Sequence, residues 1–290
     1  MQKTIIITGA NSGLGFEATK QIAQRHDDYQ LIMACRNMQK ATAARKAILQ
    51  EVPNANLLCL ALDTSSLAKV RAFVDAFKAL NTPLDGLICN AGIAGRVVHA
   101  TDDGFNNIFE TNYLGHFLLT QLLLPTLAND ARLIFVSSDR HDAIKDMPWP
   151  GAKTVAHVGI DALVDSRSYP YSKLCMILFT YELERRLAQD PRHIVFNAAN
   201  PGLMTETGLA KDKSRFTPEM LAQNADILST AKDSGRMLAD LMCNSAFAQG
   251  PARYFDRRSD NPIPSSKLSY DQQVAKELWD FSLHAVGLAD

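Results

Sequence analysis

The chain has 290 residues, 47% of them hydrophobic, and its 30 basic and 31 acidic side chains leave a formal net charge of -1. No long run of either sign is present, so there is no electrostatic footprint for nucleic acid or anionic lipid, and a small molecule is the expected partner. The five cysteines (Cys35, Cys59, Cys89, Cys175, Cys243) are odd in number, lack C-x-x-C spacing and mostly sit in apolar runs, which points to reduced core residues and a cytoplasmic setting.

The first apolar run, TIIIT at 4–8, begins too close to the start to leave room for a signal-peptide core, and no later segment reaches about 18 uninterrupted apolar residues. Further β-rich runs follow at 31–35, 56–62, 84–90, 132–137, 193–199 and 252–256. Helical patterns separate them at 14–26, 38–50, 66–80, 102–128, 169–189, 228–243 and 270–284. Short apolar strands alternating with amphipathic helices predict an α/β fold, a doubly wound and mostly parallel seven-stranded sheet covered on both faces. With no repeat or linker, residues 1–290 read as a single domain. Two irregular segments, 139–168 and 201–226, each follow a strand. In open α/β sheets the ligand crevice lies beyond the carboxyl ends of the strands, so these segments are the expected walls of a site.

Directly after the first strand comes TGANSGLG, with Gly9, Asn11, Ser12, Gly13, Leu14 and Gly15 between a predicted strand and a predicted helix. Glycines there permit a tight turn and close approach of backbone to a pyrophosphate, while the helix aims free N–H groups and its positive dipole end at the same anion. The spacing is G-x-x-x-G-x-G, and the Gly-Lys-Ser/Thr of a nucleotide-triphosphate loop is missing. At the end of the second strand, where a carboxylate would bind the ribose hydroxyl of NAD, stands ACRN. Cys35 has no charge to offer, and Arg36 presents a planar cation suited to a 2′-phosphate, which selects NADP(H).

SYPYSKLC (168–175) holds two tyrosines near one lysine. On a helix, residues four apart share a face and residues two apart do not, so Lys173 serves Tyr169 and not Tyr171. A phenol titrates near pH ~10, and a nearby ammonium favours its ionised form, so this pair can act as a proton donor and acceptor nearer neutrality.

Taken together and in order, these motifs resemble the short-chain dehydrogenase/reductase family over nearly the whole chain. They are T-G-x-x-x-G-x-G at Thr8 to Gly15, Asp63 after the third strand, N-A-G at Asn90, Ala91 and Gly92, Asn112 in the fourth helix, Ser138 after the fifth strand, Tyr169 with Lys173, and Pro201-Gly202. Within the family, MACRN, LICNAG, TNYLGHFLL, YSKLC and AKELWDFSLHAVGL look most like the branch of retinol dehydrogenases and light-dependent protochlorophyllide reductases. The resemblance implies a Rossmann fold and an NADP(H)-dependent oxidoreductase of the EC 1.1.1.- type that moves hydride between nicotinamide and a carbonyl or alcohol. It implies that Tyr169 exchanges the proton, Ser138 hydrogen-bonds the substrate oxygen, Lys173 tunes Tyr169 and bonds the nicotinamide ribose, and Asn112 holds a water leading from Lys173 to solvent. Asp63 would bond the adenine amino group, Asn90 to Gly92 would admit the adenine ribose, and Pro201, Gly202 and Thr205 would lie along the nicotinamide. Where the family usually has Thr or Ser five residues after the proline, this chain has Glu206, flanked by Thr205 and Thr207.

Two other readings share the motifs: a light-dependent reductase of a tetrapyrrole double bond, and a non-catalytic regulator that senses NADPH. The N-A-G triplet and the moderate length of 139–168 favour dark reduction of an apolar aldehyde or ketone. A hydrolase would need a nucleophile elbow, and GANSG has its serine one position away from G-x-S-x-G. The seven histidines are scattered without ligand spacing, so no metal site is expected, and His141 reads as a polar loop residue. Met147, Trp149, Val155 and Val158 in one segment, with Leu203, Met204, Leu209, Phe216, Met220 and Leu221 in the other, suggest an apolar pocket. The fourth and fifth helices could pair in a homo-oligomer or remain solvated.

Overall fold

A computed structural model of the chain describes residues 2–25, 28–209, 213–214 and 216–289. Met1, His26 at the end of the expected first helix, Ala210, Lys211, Asp212 and Arg215 of the 201–226 segment, Asp27 and Asp290 lie outside the described residues. Strands β1 (Lys3–Thr8), β2 (Tyr29–Cys35), β3 (Asn56–Ala61), β4 (Leu84–Cys89), β5 (Leu127–Val136), β6 (Val195–Asn200), β7 (Arg253–Asp256) and β8 (Pro262–Ile263) form one sheet. Their order is β3-β2-β1-β4-β5-β6-β7-β8, and every pairing is parallel except that of β7 with β8. The sheet thus has eight strands where seven were expected. The eighth is two residues long and starts with proline on the sheet edge, where the missing N–H costs no ladder bond. So short a strand leaves no alternation to read.

Helices α1 (Gly13–Arg25), α2 (Met38–Glu51) and α3 (Leu67–Lys78) follow the first three strands as the periodicity predicts. Asn37 caps α2 through its side-chain oxygen, which accepts from Lys40 N at 2.9 Å. The expected helix 102–128 is the main departure. It resolves into α4 (Asn107–Phe109), a π-helical turn at Glu110–Leu114 and α5 (Gly115–Leu123), and residues from Leu127 onward belong to β5. Its start is set by Asn106, whose Oδ1 accepts from Ile108 N and Phe109 N while its Nδ2 donates to Val158 O and Ser168 Oγ. The two donor contacts reach across the chain, so local periodicity could not announce them.

The remaining helices are α6 (Ala152–His157), α7 (Ser168–Arg186), α8 (Pro218–Gln223), α9 (Ala231–Cys243) and α10 (Gln272–Ala285). Every residue of α7 from Pro170 to Leu183 is buried. The sheet covers one side of it and α10 covers another, with Trp279 5.3 Å from Phe117 and 5.9 Å from Phe179, ring to ring. Tyr113 and Ser282 join their hydroxyls at 2.8 Å across the same contact. Burial of each large side chain in this cluster stabilises the fold by roughly 1.5–3 kcal/mol. The fifth expected helix is therefore packed by the chain's own last helix, while α5 of the fourth packs on α3 and meets the last helix through Phe117 and Trp279. On the opposite side of the sheet, α1, α2 and α9 bury a second cluster around Ile5, Ile7, Leu31 and Met33.

Strand order reverses between β1 and β4, so the connections leaving their carboxyl ends diverge and open a crevice. Among the described residues no helix is long and apolar enough to cross a membrane.

Candidate active site

At the end of β1 the backbone turns through Gly9, whose φ of +68° is the left-handed region that favours glycine. A Cβ on Gly15 would lie 2.5 Å from Gly9 O and 2.6 Å from Asn90 Nδ2, so this packing admits no side chain. The turn is clamped to the end of β4: Asn90 N and Ala91 N each donate to Thr8 Oγ1 at 2.8 Å, and Asn90 Nδ2 donates to Thr8 O at 2.7 Å. Asn90 thus spends its side chain on holding the turn. Leu14 is buried under the turn while Ser12 is exposed, and the first N–H groups of α1 have no partner within the helix. Those donors, the close backbone approach and the helix dipole suit a pyrophosphate.

Arg36 is exposed immediately after buried Cys35. Burial first, and the neighbouring Cys59 second, push the Cys35 thiol up to about 12, against the backbone N–H groups of Ala10 and Asn11, so Arg36 meets no competing charge there. Asp63 accepts from Ser65 N at 3.2 Å, Ser65 Oγ at 2.6 Å and Lys69 Nζ at 3.2 Å. Burial pushes its carboxyl up, but the bonds from Ser65 and Lys69 outweigh it and hold the group below the usual range.

The four expected catalytic side chains gather where β4 and β5 end and α7 begins. Lys173 Nζ lies 5.7 Å from the centroid of the Tyr169 ring, as helical spacing requires, and donates to Val136 O at 2.9 Å. Burial pushes its ammonium down to about 8. Ser137 Oγ donates to Lys173 O at 2.7 Å, so the two residues before Ser138 grip both ends of Lys173. Tyr171 points away and is 3% exposed, its ring edge-to-face with Trp149 at 6.1 Å. Asn112 accepts from Ile93 N at 2.8 Å and donates to Ile93 O and Ser172 Oγ, each at 3.0 Å. Ser172 in turn donates to Tyr169 O at 2.7 Å. Ser138 Oγ donates to Asp139 Oδ1 at 3.0 Å and accepts from Arg140 N at 3.2 Å.

His141 is more than a polar loop residue. It is buried, places Nδ1 2.6 Å from Ser138 O and accepts from Ser266 N at 2.9 Å, tying the Ser138 backbone to the C-terminal part of the chain. Burial holds its pKa below the ordinary value. Among the described residues no group of three or more His, Cys, Asp or Glu side chains could hold a metal ion.

Pro201 O accepts from Ser234 Oγ at 2.6 Å. Glu206 turns its carboxylate to the start of α9, where Oε1 accepts from Ala231 N at 2.6 Å. That side chain serves a helix N-terminus, as a carboxylate should. Of its two threonine neighbours, Thr207 is buried against the glycine turn, where its Cγ2 would stand 3.2 Å from a Cβ on Gly13, and Thr205 is partly exposed. The apolar residues expected to form the walls divide. Val155 is 1% exposed and belongs to the core, and Trp149 packs on Tyr171 while its Nε1 donates to Glu277 Oε2 at 2.8 Å. Met147 is 40% exposed, and Leu203, Leu209, Phe216, Met220 and Leu221 are partly exposed. Ser137, Ser172 and His116 were not singled out by sequence reasoning. The doubled serine after β5 and the four-residue spacing from Asn112 to His116 were the signals available.

The family model described as short chain dehydrogenase matches residues 3–148. The WW domain-containing oxidoreductase of Gallus gallus is 35% identical over 284 residues, 97% of this chain and 67% of that protein. The chain belongs to the short-chain dehydrogenase family. Retinol dehydrogenase 13 of Homo sapiens is 34% identical over 310 residues, 99% of this chain and 85% of that one. A short-chain dehydrogenase of Shigella flexneri solved in complex with NADP has the same fold, with a TM-score of 0.66 and 23% identity over 89% of this chain and 97% of that one. This family member is thus an oxidoreductase by descent, with retinol dehydrogenase-like relatives.

Proposed function

We propose that this single-domain protein is an NADP(H)-dependent reductase or dehydrogenase of an apolar carbonyl or alcohol, with Tyr169 exchanging the proton. The observation that carries this reading is the placement of the buried Lys173 ammonium 5.7 Å from the Tyr169 ring and pinned to Val136 O. The glycine turn fits the cofactor's pyrophosphate, because a Cβ on Gly15 would fill the space the backbone needs and the first donors of α1 face the turn. Arg36, exposed after an uncharged Cys35, is the residue for the adenosine 2′-phosphate. A cofactor held by these residues would supply hydride from its nicotinamide.

The chain's own residues supply the rest. In the reductive direction the Tyr169 phenol gives its proton to the substrate oxygen. Ser138 swings its hydroxyl from Asp139 to the same oxygen and stabilises the charge developing on it. Burial brings the Lys173 ammonium down toward neutrality, and its charge favours the phenolate left behind. Asn112 steadies the first turn of α7 through Ser172. The partly exposed apolar side chains of 203–221 form the wall offered to an apolar substrate.

The test is NADPH oxidation against a panel of aldehydes, ketones and quinones, in the dark and under light, with protochlorophyllide included. Dark turnover on a carbonyl, abolished by Tyr169→Phe, is the expected result. Light-dependent turnover of the pigment alone would replace this reading with double-bond reduction, and NADPH binding without any turnover would make the protein a sensor.

A further inference from the structure

His116 lies in α5, fully buried, where no ligand contact has been assigned to it. Its Nδ1 is 3.0 Å from Asn112 O and its Nε2 is 3.0 Å from Thr8 Oγ1. A carbonyl oxygen only accepts, so Nδ1 carries the hydrogen. The Thr8 hydroxyl oxygen already accepts from two backbone N–H groups, Asn90 and Ala91, each at 2.8 Å. Its own hydrogen is therefore directed outward, to Ile88 O at 3.4 Å or to His116 Nε2 at 3.0 Å, and the shorter contact is to the imidazole. The ring then has one donor and one acceptor, both used, which requires the neutral form. Burial pushes its pKa down to about 4; the bond to Asn112 O opposes this shift and the nearby charge of Lys173 adds to it.

The contacts join into one path. Thr8 bonds His116, His116 bonds the Asn112 carbonyl, the Asn112 side chain donates to Ser172 at 3.0 Å, and Ser172 donates to Tyr169 O at 2.7 Å. Asn112 sits in the π-helical turn, a local relaxation of helical bonding of the kind that recurs at functional sites. We propose that His116 is a positioning residue whose neutral Nδ1–H ring couples the cofactor turn at Thr8 to the Asn112 carbonyl and, through Asn112 and Ser172, to the turn that aims Tyr169. The proposal rests on the function proposed above for that site. It assigns His116 no contact with substrate or cofactor, and it explains why a polar ring occupies the core beside a lysine.

Two half-substitutions separate the arms. His116→Gln places an amide oxygen near the Nε2 position, able to accept from Thr8, and loses the donor to Asn112. His116→Asn places an amide N–H near the Nδ1 position, able to donate to Asn112, and cannot reach Thr8. One buried hydrogen bond corresponds to about a tenfold change. The expected split is a kcat about tenfold lower in H116Q with NADPH affinity within roughly threefold, against NADPH affinity about tenfold weaker in H116N with a smaller loss of kcat at saturating cofactor. Two variants with the same kinetic split, or a lowered thermal midpoint with both constants at wild-type values, would reduce His116 to a packing residue and overturn the proposal. Independently of activity, the ring nitrogens of ¹⁵N-labelled protein, with the His116 signals assigned by their loss in H116Q, should show a protonated Nδ1 and a bare Nε2 at pH 7. An Nε2–H tautomer or an imidazolium would sink the idea even in a fully active enzyme. Should no carbonyl be reduced, the functional reading fails, while the tautomer and the NADPH affinity of H116N still decide the role of His116.

Discussion

The glycine turn and the tip of α7 sit in the same crevice and solve opposite problems. At the turn, the groups that face the crevice are main-chain N–H donors, and its side chains serve the scaffold: Thr8 and Asn90 bind each other, and Gly15 contributes by having no side chain. At the tip of α7, the groups that matter are side chains, and the main chain serves them: Val136 O holds the Lys173 ammonium and Ser172 ties Tyr169 O to Asn112. Damage to the turn should therefore appear in cofactor affinity, and damage to the tip in turnover.

The largest expected effect is at the tip. Tyr169→Phe should lower kcat by about 10²–10⁴-fold, the usual contribution of a general acid, while an NADPH titration stays within roughly twofold of wild type. Tyr171→Phe should stay active, because that ring packs on Trp149 and its hydroxyl lies off the path. The reverse ranking in a steady-state assay would mean that the face of α7 has been misread.

The next effect is at the turn. In Gly15→Ala the added methyl would stand 2.5 Å from Gly9 O, and the backbone must shift. An overpacking cost of roughly 1–3 kcal/mol should weaken NADPH binding about ten- to a hundredfold, with a smaller change in kcat at saturation. A fluorescence titration beside a saturation curve distinguishes the two. If kcat falls as far as affinity, the turn and the tip are not separable in the way described.

Arg36→Ala sharpens the comparison, because here the contact proposed for the cofactor is a side chain's. It should cost NADPH roughly 1.5–3 kcal/mol of affinity, about ten- to a hundredfold, and leave NADH almost unaffected. Equal affinity of the wild-type protein for the two cofactors would remove Arg36 from the site.

The smallest effect belongs to Glu110 in the π-helical turn, which accepts from Thr101 Oγ1 and is fully buried. Burial first pushes its pKa up to about 8; the bond from Thr101 opposes the shift and the nearby charges of Asp103 and Asp63 add to it. Because the folded state holds the proton more tightly than the unfolded chain, this group's stabilising contribution is full below the unfolded value and is lost as pH rises through 8. Glu110→Gln mimics the protonated form and should raise stability at pH 8, with little change at pH 4. Denaturant melts at the two values check the sign.

How much of this was legible in advance follows the same division. The turn is local: strand, glycines and helix lie within a dozen residues, and the steric demand that selects glycine acts at that range. The register of Tyr169 against Lys173 is likewise a property of one helical turn, readable from spacing four. The π-helical turn was not legible, because one extra residue in a turn leaves the hydrophobic periodicity almost unchanged. The role of Glu206 was not legible either, because the Ala231 N–H at the start of α9 that donates to its carboxylate lies 25 residues away.

The sequence by itself determined the strand and helix alternation, the glycine turn, the uncharged Cys35 before Arg36, and the spacing of the tyrosine and lysine. These depend on backbone geometry and on neighbours within one or two turns. Only the tertiary structure decided that α10 packs on α7 and sets Trp279 against Phe117, that His141 joins Ser138 to Ser266, and that His116 joins Thr8 to Asn112. The Thr8–His116 and His141–Ser266 bonds span 108 and 125 residues, and a buried polar group takes whichever complementary partner the packed chain brings within reach.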